Sequence, residues 1–180
     1  MAGSVNAAAS SGNSFRNLLF VVALGIAALL FFRQRGGPAI GGPAQDFSLP
    51  VVAGSGQKFQ LSAERGKPVL IEVFASWCGV CRRAAPTLRD AASAARKRDV
   101  RFVGISVDKD VGEARGAAEQ WQIPYDVAVD DGSFSRAYDI KVLPTFVLVD
   151  AEGRVRRVSS GAPRAGELES WFGEVGAERL

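Results

Sequence analysis

Histidine is absent from this chain of 180 residues, and cysteine occurs only twice. Both scarcities narrow the chemistry. A Cys-x-x-Cys pair can be half of a zinc site, but with no histidine and no third thiol, four nitrogen or sulfur ligands cannot be assembled within one chain. No block of lysine and arginine interleaves with aromatic residues, and the net charge is only +3, so nucleic acid is not an expected partner. No cysteine lies near the N-terminus, which excludes a lipid-attached start, and no segment repeats. Residues 1–14 carry no charged side chain and are rich in Ala, Ser, Gly and Asn, a composition that does not order itself.

What is present suits one globular domain with an appendage: 47% hydrophobic and 23% charged residues supply ample core. Leu18 to Phe32 is an unbroken run without charge, bounded by Arg16 on one side and by Arg33 and Arg35 on the other. Membrane spans use about 20 apolar residues, with roughly 17 at the short end. This run falls just below that, and the flanking arginines can snorkel to the headgroups. The expected division is a disordered N-terminus over 1–17, an uncleaved transmembrane signal-anchor over 18–32, a Gly/Pro linker over 33–44 and a folded domain over 45–180. A cleaved signal peptide and a buried core helix are the alternatives for the apolar run. Charge does not orient the anchor, because the α-amine and Arg16 balance Arg33 and Arg35.

Within the domain, Asp46–Pro50 and Lys58–Leu61 alternate around Gly54-Ser55-Gly56, which predicts a hairpin. Val69–Phe74, Arg101–Val107, Tyr125–Val129, Thr145–Val149 and Arg154–Ser159 read as strands. Cys78 to about Arg98, Val111–Trp121, Ser133–Tyr138 and Arg164–Val175 read as helices. A hairpin, alternating strands and helices, then a hairpin and a helix make an α/β domain, a mixed central sheet with helices on both faces.

Cys78-Gly79-Val80-Cys81 stands where the buried strand Val69–Phe74 gives way to the first domain helix. The unpaired N–H groups and the dipole at a helix start favour thiolate over thiol, and cysteines so placed have depressed pKa values. Cys78 is expected at the helix mouth, facing solvent. Cys81, one turn on, is expected beneath it and within disulfide reach. Gly79 lets a partner chain approach closely. An inert structural disulfide is the competing reading, but a bridge closing so small a loop is a poor staple. The pair reads as a thiol–disulfide redox centre. Glu72 lies six residues before Cys78 among Ile71, Val73 and Phe74. Buried there, its pKa should rise, which suits a proton acceptor for Cys81. The alternative is a side chain that escapes to a polar edge.

Phe74-Ala75-Ser76-Trp77-Cys78-Gly79-Val80-Cys81-Arg82, with Val142-Leu143-Pro144-Thr145-Phe146 and Asp46-Phe47-Ser48-Leu49, resembles the thioredoxin superfamily from about Gln45 to Val175. The similarity is greatest to its membrane-anchored TlpA/ResA/DsbE-like branch, whose extra helix and strand Asp108–Asp130 resembles. The resemblance implies a thioredoxin-like fold with an N-terminal β-hairpin and a central helix–strand insert. It implies catalytic roles for Cys78, Cys81, Glu72 and Pro144: Cys78 attacks, Cys81 resolves the mixed disulfide, and Pro144, cis, lies against the pair. The alternative for Pro144 is a trans proline opening a strand. Trp77, Gly79, Val80 and Leu143 would bind the substrate chain, Leu143 through its backbone. No metal and no cofactor are implied. The expected protein is a membrane-tethered thiol–disulfide oxidoreductase facing the periplasm or extracytoplasmic side. It would reduce disulfides in exported proteins such as apocytochrome c and draw on a membrane electron-transfer partner. The Gly-Val dipeptide resembles the copper-sensitivity suppressor type, so an oxidant or isomerase of that kind is one alternative; a non-catalytic binding module is another. Copper-delivery relatives need a histidine, and peroxiredoxins a threonine at the position of Ala75; this chain has neither.

Overall fold

A computed structural model describes residues 11–33 and 37–176, with the side chains of the first helix described from 16 to 27. The chain divides after Gly36 into two compact units. In the first, α1 spans Ser11–Arg33, and Leu18, Leu19, Phe20, Val21 and Leu24 are exposed on it. Residues 11–17 and Arg33, expected as disorder and linker, are therefore helical. Once the apolar run is helical, each further residue adds a hydrogen bond without a new nucleus. Residues 1–10 of the expected disordered segment and 34–36 of the linker lie outside the described residues. Side chains of α1 are described only over 16–27, and no stretch of described residues is long and apolar enough to cross a membrane.

The second unit holds strands β1 (Ser48–Ala53), β2 (Lys58–Gln60), β3 (Val69–Phe74), β4 (Arg101–Ser106), β5 (Asp126–Val129), β6 (Thr145–Val149) and β7 (Val155–Ser160). Helices α2 (Gly79–Lys97), α3 (Val111–Gln120), α4 (Ser133–Ala137) and α5 (Glu167–Gly176) connect or flank them, and a 3-10 turn covers Leu61–Glu64. The strands form one seven-stranded sheet in the order β2-β1-β5-β4-β3-β6-β7. β3, β4 and β5 run parallel, and the outer pairings are antiparallel. This is the expected mixed α/β sheet. β3 lies between β4 and β6 and is buried on both faces, which is why it reads as an apolar segment broken only by Glu72.

Alternation along β3 sends its side chains to two cores. Val69, Ile71 and Val73 pack with Val103, Ile105, Val147 and Val149 against an aromatic group of Phe47, Phe59, Phe134 and Tyr138. Phe47 meets Phe134 edge-on at 4.7 Å, and Phe134 stacks on Tyr138 at 4.3 Å. Leu70 packs on the other face beneath α2 and α5, through Ala84, Leu88, Ala91, Ala95, Trp171 and Phe172. The alanines of α2 bring its axis close to the sheet. Phe74 meets the Trp121 end of α3.

Several boundaries differ from the sequence reading, three of them with a visible cause or consequence. The linker is not free over its whole length: Gly41 and Gly42 exchange backbone hydrogen bonds with Val155, and Ala44 N–H donates to Gly153 O. The edge strand β7 has unpaired backbone groups there, and the linker takes them. Helix α5 begins at Glu167, after the left-handed Gly166, rather than at Arg164. Tyr125 precedes β5 instead of opening it. The hairpin turn needs Gly54, whose φ is +112° and whose missing Cβ would lie 2.1 Å from Asp126 Oδ1.

Candidate active site

β3 ends at Phe74, and three residues turn the chain into α2. Asp108, just past the end of the neighbouring strand β4, holds that turn. Its carboxylate accepts the Ser76 N–H at 2.8 Å, the Ser76 hydroxyl at 2.9 Å and the Ser106 hydroxyl at 2.7 Å. The buried acid is thus satisfied by three donors, and the loop before Cys78 is fixed to the parallel sheet. Cys78 is the N-cap of α2: its sulfur accepts the Cys81 N–H at 3.1 Å, while its own N–H donates to Ala75 O at 3.0 Å. Cys78 and Cys81 are joined in a disulfide with Cα atoms 5.3 Å apart.

Cys81 is fully buried, as placed from the sequence. Cys78 is only 7% exposed, not open to solvent as expected. Capping turns its sulfur back over the helix N-terminus, and the bond to Cys81 keeps it there. What faces outward is the apolar rim. Trp77 is 71% exposed and Val80 37%, with Gly79 exposed between Cys78 and Val80. The Leu143–Pro144 peptide is cis. Leu143 packs against the cluster that contains both cysteines. Among the described residues, its backbone N–H and C=O have no partner within the chain. The loop is held from behind: Thr145 donates its hydroxyl to Val142 O at 2.7 Å, and Gly161 N–H donates to Pro144 O at 2.8 Å.

Glu72 lies on the α2 face of β3 and is buried. It lines a narrow cleft with Cys81, Ala85, Leu88, Arg89, Trp121, Ile123, Pro124 and Tyr125, too tight for a water molecule. Burial pushes its carboxyl up from 4.5 to about 7, and a hydrogen bond from the Tyr125 hydroxyl, 2.6 Å from Oε2, pulls the other way. The carboxylate therefore does not escape to a polar edge, and its proton affinity is matched to neutral pH. Arg89 closes one wall, with Nη1 donating to Trp121 O at 2.9 Å.

The structure thus gathers Glu72, Cys78 and Cys81 around the N-terminus of α2, with Trp77, Gly79 and Val80 at its rim and Leu143 packed against the same cluster. Sequence reasoning missed Asp108, Tyr125, Trp121 and Arg89. Asp108 carried a signal, a carboxylate directly after an apolar strand. The others are assembled by tertiary packing. Among the described residues, no cluster of acids and thiols could hold a metal ion.

The chain is similar to known proteins in sequence and in fold. The profile of the Redoxin family matches residues 39–171. Thiol-disulfide oxidoreductase ResA of Geobacillus kaustophilus is 26% identical over 140 residues, which cover 77% of this chain and 79% of the relative. Two solved structures overlie the domain. A thiol:disulfide interchange protein of the thioredoxin family from Chlorobium tepidum is 25% identical, with a TM-score of 0.67 over 78% of this chain and 99% of its own. A secreted Mycobacterium tuberculosis disulfide oxidoreductase homologous to E. coli DsbE is 27% identical, with a TM-score of 0.60 over 73% and 95%. The chain belongs to the Redoxin family and is a thiol–disulfide oxidoreductase of the ResA/DsbE type.

Proposed function

We propose that this protein is tethered by α1 to the inner membrane, with its domain on the periplasmic or extracytoplasmic side, and reduces disulfides in exported proteins, apocytochrome c among them. The observation that carries the reading is the Cys78–Cys81 couple: one sulfur caps a helix beneath an exposed apolar rim, and the other lies in the cleft of a buried carboxyl. In the reduced protein, the Cys78 thiolate attacks a substrate disulfide. A Cys78–substrate disulfide forms and one substrate thiolate leaves. Cys81 passes its proton to Glu72, with no room for water in their cleft, and the Cys81 thiolate attacks Cys78. The Cys78–Cys81 bond closes and the second substrate thiolate leaves. Two electrons have passed to the substrate, and a dithiol electron-transfer partner in the membrane must restore the couple.

Trp77, Gly79 and Val80 form the docking rim, and the free backbone groups of Leu143, set by Pro144, align the substrate chain. Membrane tethering is supported by the uncharged Leu18–Phe32 run between arginines. The direction of electron flow follows from the couple's reduction potential. Cys81→Ser should accumulate mixed disulfides between Cys78 and substrate proteins, and Cys78→Ser should accumulate few. Faster alkylation of Cys81 than of Cys78 in the reduced protein at mildly acidic pH would refute the assignment.

A further inference from the structure

We propose that Tyr125 is the positioning residue of the proton acceptor: its hydroxyl fixes the Glu72 carboxylate in the cleft shared with Cys81 and holds it in its anionic, proton-accepting form. The inference rests on the reading of Glu72 as the group that takes the Cys81 proton.

Four observations support it. Among the described residues, the Tyr125 hydroxyl is the one hydrogen-bond donor to the Glu72 carboxylate. The Tyr125 ring is itself immobilised, stacked on Phe102 of β4 with centroids 3.9 Å and planes 11° apart. The hydroxyl is therefore held in place by the sheet, although Tyr125 itself precedes β5. Tyr125 and Pro124 also line a second, open cleft of about 190 Å³ with Ser55, Arg96, Arg101 and Asp126, so these two side chains stand between the two clefts. Finally, burial and the Glu72 charge raise the Tyr125 phenol well above its ordinary value, so it remains a donor at every pH at which the enzyme works.

Few other groups compete for this role. α2 presents Cys81 and Arg89 to the cleft, and the Arg89 guanidinium is engaged by Trp121 O. Of the loop residues Trp121, Ile123 and Pro124, none titrates, and the Trp121 indole N–H, buried on the same cleft, makes no hydrogen bond to the carboxylate. The strand neighbours of Glu72 are Gly104 on β4 and Phe146 on β6, and neither titrates. A donor to a buried carboxylate stabilises its charged form, so removing the donor raises the pH at which the proton leaves.

Tyr125→Phe removes the hydroxyl and keeps the ring on Phe102, which preserves the packing. The full-length reduced protein is mixed with an aromatic disulfide reagent whose released thiolate absorbs light. The first release reports attack by Cys78, and the second reports attack by Cys81. In the parent the second rate should rise with pH through a midpoint set by Glu72. In Tyr125→Phe that midpoint should move up by about one to two pH units, with the first release unchanged. The infrared carboxyl band lost in Glu72→Gln should shift its titration by the same amount in oxidised Tyr125→Phe. A midpoint absent in Glu72→Gln but unshifted in Tyr125→Phe overturns the role of Tyr125 and leaves that of Glu72 standing. A midpoint that persists in Glu72→Gln belongs to another group and overturns both.

Discussion

Replacing Glu72 by glutamine should make the protein more stable, and increasingly so as pH rises. The carboxyl is buried and titrates near 7 in the folded chain, against 4.5 in the absence of burial. Between those values the folded state holds a proton that the unfolded state has released. Stability falls with pH wherever the folded state binds more protons, so the parent should lose stability from about pH 4.5 to about 7 and level off above. Each unit of difference is worth about 1.4 kcal/mol, so the loss is about 3 kcal/mol in all. Glutamine keeps the shape, can accept the Tyr125 hydroxyl, and does not ionise. The variant should therefore run level with the parent near pH 4.5 and gain up to about 3 kcal/mol by pH 8, a rise in melting temperature of roughly 6–12 °C. Denaturant unfolding of both oxidised proteins across that range measures the difference directly. A gap that stays constant with pH would mean that Glu72 reaches solvent or titrates at its ordinary value, and the proton-acceptor role would fall with it.

Two further outcomes follow from the site. Asp108→Asn leaves one of three donors without an acceptor in a buried turn, so it should cost about 2–3 kcal/mol in denaturant unfolding and open the Ala75–Trp77 segment to proteases; unchanged stability would show that water replaces the carboxylate. On topology, an impermeant thiol reagent applied to intact cells with the couple reduced should modify Cys78, and protection of that thiol until lysis would place the domain on the cytoplasmic side.

The redox pair was legible because its signals are local. A helix start, a three-residue spacing and an apolar strand need no knowledge of distant residues. The buried strands were legible for the same reason: β3, β4 and β6 are predominantly apolar segments, as burial on both faces requires. Ends of elements were harder to place. Gly166 turns left-handed just before α5, and the Arg164 N–H is taken by the Glu167 carboxylate at 2.9 Å, so the turn ahead of the helix is local rather than helical. The pairing of Gly41, Gly42 and Ala44 could not be read from the sequence because Val155 and Gly153 lie more than a hundred residues away.

Tyr125 shows what kind of information the sequence withholds. It reads as the first residue of a strand and is separated from Glu72 by 53 positions. The two meet only because β4 lies between β3 and β5 in the sheet order, with Gly104 of β4 paired to Glu72. That glycine matters. A Cβ there would press on a Phe74 ring carbon at 3.1 Å and a Tyr125 ring carbon at 3.3 Å, so the bare backbone gives the tyrosine ring room to lie across β4 and reach the carboxyl on the next strand. The polar contact at the bottom of the active site thus depends on the smallest residue of β4, whose position in an otherwise apolar strand gives no hint of a chemical purpose. Glu72 could be singled out because a charge in a buried strand is costly by itself. Its partner could not, because a tyrosine at a strand end is unremarkable until the strand order places its hydroxyl against the acid.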